Sequence, residues 1–187
     1  MGQKAIEKVE PLRSAEAIQN MREALNQTSF PKRNNLLFSL GINTGLRIGD
    51  FLKLRIEDVK GKNSVKIREG KTSKVRIVHL HSVRVDLADY LEERPDIGYL
   101  FPSQRTGKPI STVQAYRILK SAGDKCGYDY IGTHTMRKTF GYHYFQRTKD
   151  IVTLMIIFNH SSQNITKRYI GIKEDDDIKN SLEDFQL

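Results

Sequence analysis

Apolar residues recur at helical spacing through most of the chain and alternate in only one stretch. Ile18, Met21 and Leu25 fall on one face after Ser14, a residue suited to an N-cap, with Glu16 in the first turn. This predicts a helix to about Asn26. Phe30-Pro31 interrupts it. Leu36, Leu37 and Leu40 then mark a second helix that ends near Gly45, and a third short helix is predicted over Ile48 to Leu54. Arg47 falls in the turn between these two helices. Val65 and Ile67, then Val75 and Ile77, alternate with polar residues, which predicts a β-hairpin turning around Gly70 to Ser73.

Helical spacing resumes after the hairpin. His81-Ser82 opens a segment with Val85, Leu87, Tyr90 and Leu91 apolar, to about Glu93. Tyr99 to Pro102 reads as an extended link and Gly107-Lys108-Pro109 as a turn. Ser111 or Thr112 caps a helix to about Ala122 bearing Val113, Tyr116, Ile118 and Leu119. A helix from about His134 to Gln146 buries Met136, Phe140 and either Tyr144 or Phe145. Asp150 caps Ile151 to Phe158, which is almost wholly apolar and is predicted to be core. A short helix leads to Tyr169. Beyond it, Ile178, Leu182 and Phe185 fall at i, i+4, i+7 in an acidic segment, which predicts an amphipathic tail helix.

These elements predict an α+β fold, mostly helical, with one small antiparallel sheet. The division is an arm over 1–13, one domain over 14–171 and a tail over 172–187. A chain of 187 residues suffices for one real core.

Charge narrows the partners. The net charge is +9. From Gly171 onward two lysines face six acidic residues, a net of −4, so the body to Ile170 carries +13. A basic body suits a polyanion, with affinity that falls as salt rises. No apolar run reaches membrane-spanning length, and no signal-peptide core opens the chain; the expectation is an intracellular protein without a membrane partner. The single Cys126 forbids an intramolecular disulfide and reads as a buried thiol. His79 and His81 lack a third ligand, so no metal site is predicted. Gly70-Lys71-Thr72 is like the end of a phosphate-binding loop, but position 65 is Val and strand follows, which excludes that reading.

The candidate chemistry lies between Ile131 and Gly171. His134 and Arg137 are three apart and share a helix face. A guanidinium fork matches phosphate oxygens, and imidazole exchanges a proton near neutral pH. His160 follows, and Tyr169 offers a hydroxyl nucleophile. Such a pair alone is usually a surface pair, and most tyrosines are packing residues, so support must come from elsewhere.

It comes from Thr44-Gly45-Leu46-Arg47, Gly70-Lys71, His134 to Arg137, His160 and Tyr169, taken together and in order. This set resembles the catalytic domain of the tyrosine site-specific recombinases, the phage integrase family. The likeness runs from about Pro11 to Gly171. Where the family has Leu-Gly before its second histidine, this sequence has Phe158-Asn159. Asn tolerates the left-handed conformation better than other non-glycine residues.

The resemblance implies a recombinase that cuts and rejoins double-stranded DNA through a 3′-phosphotyrosyl intermediate, with topoisomerase IB-like chemistry and neither metal nor cofactor. Tyr169 would be the nucleophile, Arg47 and Arg137 the charge-compensating pair, His134 the base, Lys71 the acid and His160 a hydrogen-bond donor to phosphate. Lys74 competes with Lys71; the family's lysine follows the hairpin glycine, which favours Lys71. The partners implied are DNA and further copies of the chain in a tetrameric synapse, for a bacterial or phage-encoded protein in the cytoplasm at the nucleoid. The family usually carries a separate N-terminal DNA clamp, which the sequence lacks, as a fragment or a short member would. The alternative is a DNA-binding accessory or regulatory protein of a mobile element, without productive catalysis.

Overall fold

The computed structural model describes residues 9–70, 73–92 and 94–172. The predicted tail helix, apart from Ile172, lies outside the described residues, and so does Lys71.

α1 (Ala15–Asn26) starts where the Ser14 side chain accepts the Ala17 N–H at 3.0 Å. α2 (Pro31–Thr44) is the central element; it packs on α1, on α5 (Arg84–Leu91) and on α7 (Thr135–Thr148). Gly45 ends α2 in the left-handed region at φ 61°. A Cβ there would lie 2.5 Å from the Phe140 ring, so both conformation and space require glycine. The next helix is shorter than predicted. α3 covers only Ile48–Phe51, and a separate turn, α4 (Ile56–Val59), begins where the Asp58 carboxylate accepts the Arg55 N–H at 3.0 Å.

The hairpin forms as an antiparallel pair, β1 (Ser64–Arg68) and β2 (Val75–His79). Its register sets Val65 opposite Val78 and Ile67 opposite Arg76. Val75 and Ile77 are therefore exposed, and the inward face of β2 is Arg76 and Val78. Side chains alternate strictly along a strand, so an inward Val78 forces Arg76 inward.

A 3-10 turn at His81–Val83, with Val83 buried, leads into α5, where Leu87, Tyr90 and Leu91 are buried and Val85 is exposed. α6 (Thr112–Lys125) is capped by Ser111 and buries Ala115, Leu119 and Ala122, leaving Val113 exposed. Cys126, just beyond, is half-buried, and burial pushes its thiol pKa up.

α8 (Ile151–Phe158) and α9 (Gln163–Ile170) pack together and against α7. Asp150 caps α8 through the Thr153 N–H at 2.8 Å. α8 is not wholly core: Ile151, Leu154 and Phe158 are buried, while Val152 and Ile156 are exposed. Apolar composition hid a one-sided helix.

The interior falls into two clusters. The larger fills the space between α1, α2, α5, α6 and the hairpin. The smaller joins Phe145, Ile151, Leu154, Phe158 and Ile170, with the Tyr169 ring against it. The segment before α1 lies across α7. Leu12 N–H donates to Thr139 Oγ1 at 2.9 Å, and His143 Nε2 lies 2.9 Å from the Leu12 carbonyl. Lys138 Nζ donates to the Val9 carbonyl at 2.7 Å. Arg13 reaches the Gly171 carbonyl at 3.0 Å, past the end of α9. No helix among the described residues is long and apolar enough to cross a membrane.

Candidate active site

The site lies on the seam between the two clusters, where the ends of α2, α7 and α8 meet the hairpin. Arg137 sits in the first turn of α7 and is 3% exposed. It donates to the Gly45 carbonyl at 2.5 Å and to the Phe158 carbonyl at 3.0 Å, with its guanidinium 4.3 Å from the Phe158 ring centroid. It thus satisfies the orphan carbonyls of two helix ends and fixes their separation. Burial lowers its pKa to about 10, so it still carries its charge at neutral pH.

His134 is the N-cap residue of α7 rather than part of the helix, and it is exposed. It and Arg137 therefore occupy different depths of one site. His134 Nδ1 lies 3.0 Å from the Tyr169 hydroxyl, and the two rings meet edge to face. Tyr169 is near the end of α9, packed between the His134, Phe158 and His160 rings, with Lys138 Nζ 5.4 Å from its centroid. Burial pushes its phenol pKa up; the Arg137 and Arg47 charges oppose that rise.

His160 follows Asn159, which takes the left-handed conformation at φ 52° and ends α8. The turn forms without glycine. The His160 N–H donates to the Met155 carbonyl at 3.0 Å, its Nδ1 lies 3.1 Å from Thr166 Oγ1, and its ring meets that of Tyr169 edge to face with centroids 5.1 Å apart. Lys74, the competing hairpin lysine, hydrogen-bonds the Asn159 side-chain oxygen, so the hairpin touches the His160 turn.

Arg47 is the N-cap residue of α3 and has extended backbone. Its Nη1 pairs with Glu69 Oε2 at 2.7 Å. Glu69, just past β1, is buried, and its other oxygen lies 3.9 Å from Arg76 Nη1. Arg76 Nη2 donates to the Thr44 carbonyl at 2.6 Å. Arg76 and Arg137 thus hold consecutive carbonyls of the turn that carries Arg47. Asp50 ties α3 to the hairpin, accepting the Gly70 N–H at 2.9 Å.

The structure therefore brings Arg47, His134, Arg137, His160 and Tyr169 together. Glu69, Arg76, Asp50 and Thr166 also belong to the site, and the sequence reading passed over them. Strand parity held a signal for two: Val65, Ile67 and Glu69 are spaced by two, as are Arg76 and Val78. Chemically, the arrangement offers an anion site of closely spaced guanidinium groups beside a hydroxyl already paired with an imidazole.

Comparison with known proteins agrees with this picture. The sequence profile of the phage integrase family matches residues 12–175. The chain is 51% identical over 168 residues to the probable integrase/recombinase YoeC of Bacillus subtilis (strain 168), covering 89% of this chain and 92% of that protein. It is 32% identical over 145 residues to tyrosine recombinase XerA of Pyrococcus furiosus, covering 75% of this chain and 50% of XerA. The chain thus spans most of YoeC but about half of XerA. Among solved structures, a XerA recombinase superposes with a TM-score of 0.75 at 22% identity, over 99% of this chain and 67% of that one. A XerH site-specific recombinase in a post-cleavage complex with its difH substrate gives 0.71 at 21% identity, over 97% and 54%. These establish the mostly helical fold with its small two-stranded sheet. The chain belongs to the phage integrase family and is a tyrosine recombinase catalytic domain.

Proposed function

We propose that this domain cuts and rejoins double-stranded DNA at specific sites through a covalent 3′-phosphotyrosyl link to Tyr169. The observation that supports this best is the 3.0 Å contact between the Tyr169 hydroxyl and His134 Nδ1, with Arg137 and Arg47 acting on the same phenol. The hydroxyl oxygen attacks the phosphorus, and its proton passes to His134. The bond from phosphorus to the 5′ oxygen breaks, and that oxygen takes a proton from Lys71 and leaves as a hydroxyl. A 5′-hydroxyl from a partner strand reverses the step. Arg47 and Arg137 compensate the charge on the non-bridging oxygens, a task metal ions perform in other phosphoryl transfers. His160, oriented by Thr166, adds a hydrogen bond to the same phosphate.

DNA-bound relatives lend the reading their pose: XerH is seen with difH, and a lambda integrase dimer is bound to a core site. For this chain we infer binding to duplex DNA and assembly of several copies into a tetrameric synapse. The test is a duplex nicked next to the cleavage site, which loses the fragment needed for religation and so accumulates the covalent complex. Wild-type protein should be trapped on it, in the presence of EDTA as well, and Tyr169→Phe should bind without being trapped. Attachment that survives in Tyr169→Phe and disappears on replacing another tyrosine would overturn the assignment.

A further inference from the structure

Glu69 is 3% exposed and places a carboxylate beside a site read as binding phosphate. A buried carboxylate is costly unless paired, and one beside a phosphate would also repel it. Its two oxygens face different arginines. Oε2 is engaged by Arg47 at 2.7 Å, while Oε1 lies 3.9 Å from Arg76 Nη1, beyond hydrogen-bond reach. Arg76 Nη1 is buried and makes no hydrogen bond among the described residues. Its guanidinium is nevertheless fixed in place, because Nη2 is held by the Thr44 carbonyl. A donor is therefore poised and unused next to an acceptor that is already taken.

We propose that Glu69 is a positioning residue shared between two arginines: it holds Arg47 before DNA binds and passes to Arg76 when a phosphate takes Arg47. The handover requires only a small turn of the Glu69 carboxyl toward a donor already aimed at it. It keeps Arg47 oriented in the free protein, and it keeps the carboxylate neutralised once Arg47 serves the substrate. Burial lowers the Arg76 pKa, the Glu69 charge raises it and the Arg47 charge lowers it, which places the three groups in one electrostatic field. The inference rests on the reading above that Arg47 binds the phosphate, and it goes beyond that reading by assigning Glu69 and Arg76.

The experiment measures single-turnover cleavage of the nicked duplex at saturating DNA, and DNA affinity by gel shift, with folding checked by circular dichroism. Four variants are compared: Arg47→Ala, Arg76→Met, Glu69→Gln and the double Glu69→Gln/Arg76→Met. Arg76→Met strands Glu69 on Arg47 and should slow cleavage by roughly tenfold or more. Glu69→Gln should tighten DNA binding and cost about threefold in cleavage. The double variant should cleave faster than Arg76→Met, because the competing anion is gone; both variants lose the bond to the Thr44 carbonyl, so that loss cancels from the comparison. Defects that merely damage the fold would add rather than cancel. If Arg76→Met does not fold, Arg76→Lys keeps the charge, loses the fork and should show a smaller loss that Glu69→Gln also relieves. A double variant as slow as Arg76→Met would overturn the handover, and so would wild-type cleavage in Arg76→Met. A Glu69→Gln defect equal to that of Arg47→Ala would do the same, by making Glu69 obligatory during the reaction. Wild-type cleavage in Arg47→Ala would instead overturn the phosphate-binding reading itself.

Discussion

His134 Nδ1 stands 3.0 Å from the Tyr169 hydroxyl, while burial holds that phenol above its ordinary pKa near 10. The phenol is thus neutral at physiological pH and, as the proposed nucleophile, must lose its proton during attack. His134→Gln should therefore lose most activity at neutral pH and regain part of it as pH rises and the phenol ionises unaided. Single-turnover cleavage measured from neutral to strongly alkaline pH checks this. A constant ratio of variant to wild-type rate across that range would remove His134 as the base.

The two arginines differ in what surrounds them, and their variants should differ too. Arg47→Ala and Arg137→Ala should each lose on the order of 10²-fold or more in cleavage, as for other transition-state donors. Only Arg137 also bridges the ends of α2 and α8. Its loss leaves two carbonyls unsatisfied and should destabilise the fold by about 1–3 kcal/mol. Thermal melts of both variants beside their cleavage rates separate the two roles.

Gly45 links backbone conformation to the site. Gly45→Ala puts a side chain at φ 61° and against the Phe140 ring. The conformation costs about 1–2 kcal/mol, and the ring must also shift. The Gly45 carbonyl is an Arg137 acceptor, so cleavage should fall with stability. An unchanged melting temperature would show that the α2 turn adapts freely.

With +13 on the body to Ile170, DNA binding should weaken steeply as salt rises. Gel shifts from low to moderate salt test this. An affinity that barely moves would mean that the basic surface is not the DNA face.

Helix boundaries were legible in the sequence where caps mark them: Ser14, Gly45, Ser111 and Asp150 stand at the ends that the structure shows. The grouping of Arg47, His134, Arg137, His160 and Tyr169 was legible through the resemblance to the recombinase family, although they come from four separate parts of the fold. The errors share a physical origin. Apolar recurrence alone does not say which side faces inward: α8 is expected to be core throughout, yet Val152 and Ile156 face solvent, as do Val75 and Ile77 of the hairpin. In β2 the alternation of Val75 and Ile77 marks the strand but not its inward face, which carries Arg76. Glu69 was hidden likewise, because a carboxylate extending an apolar stripe makes sense only when its arginine partners, distant in sequence, are in view.

Residues 9–14 have a consequence for anything fused upstream of Val9. Lys138 grips the Val9 carbonyl and also faces the Tyr169 ring, and Arg13 grips the carbonyl just past the Tyr169 helix. The backbone at Val9 and Arg13 is thereby joined to Tyr169 at two points, its ring and its helix terminus. An affinity tag is therefore better placed away from this segment when cleavage is measured.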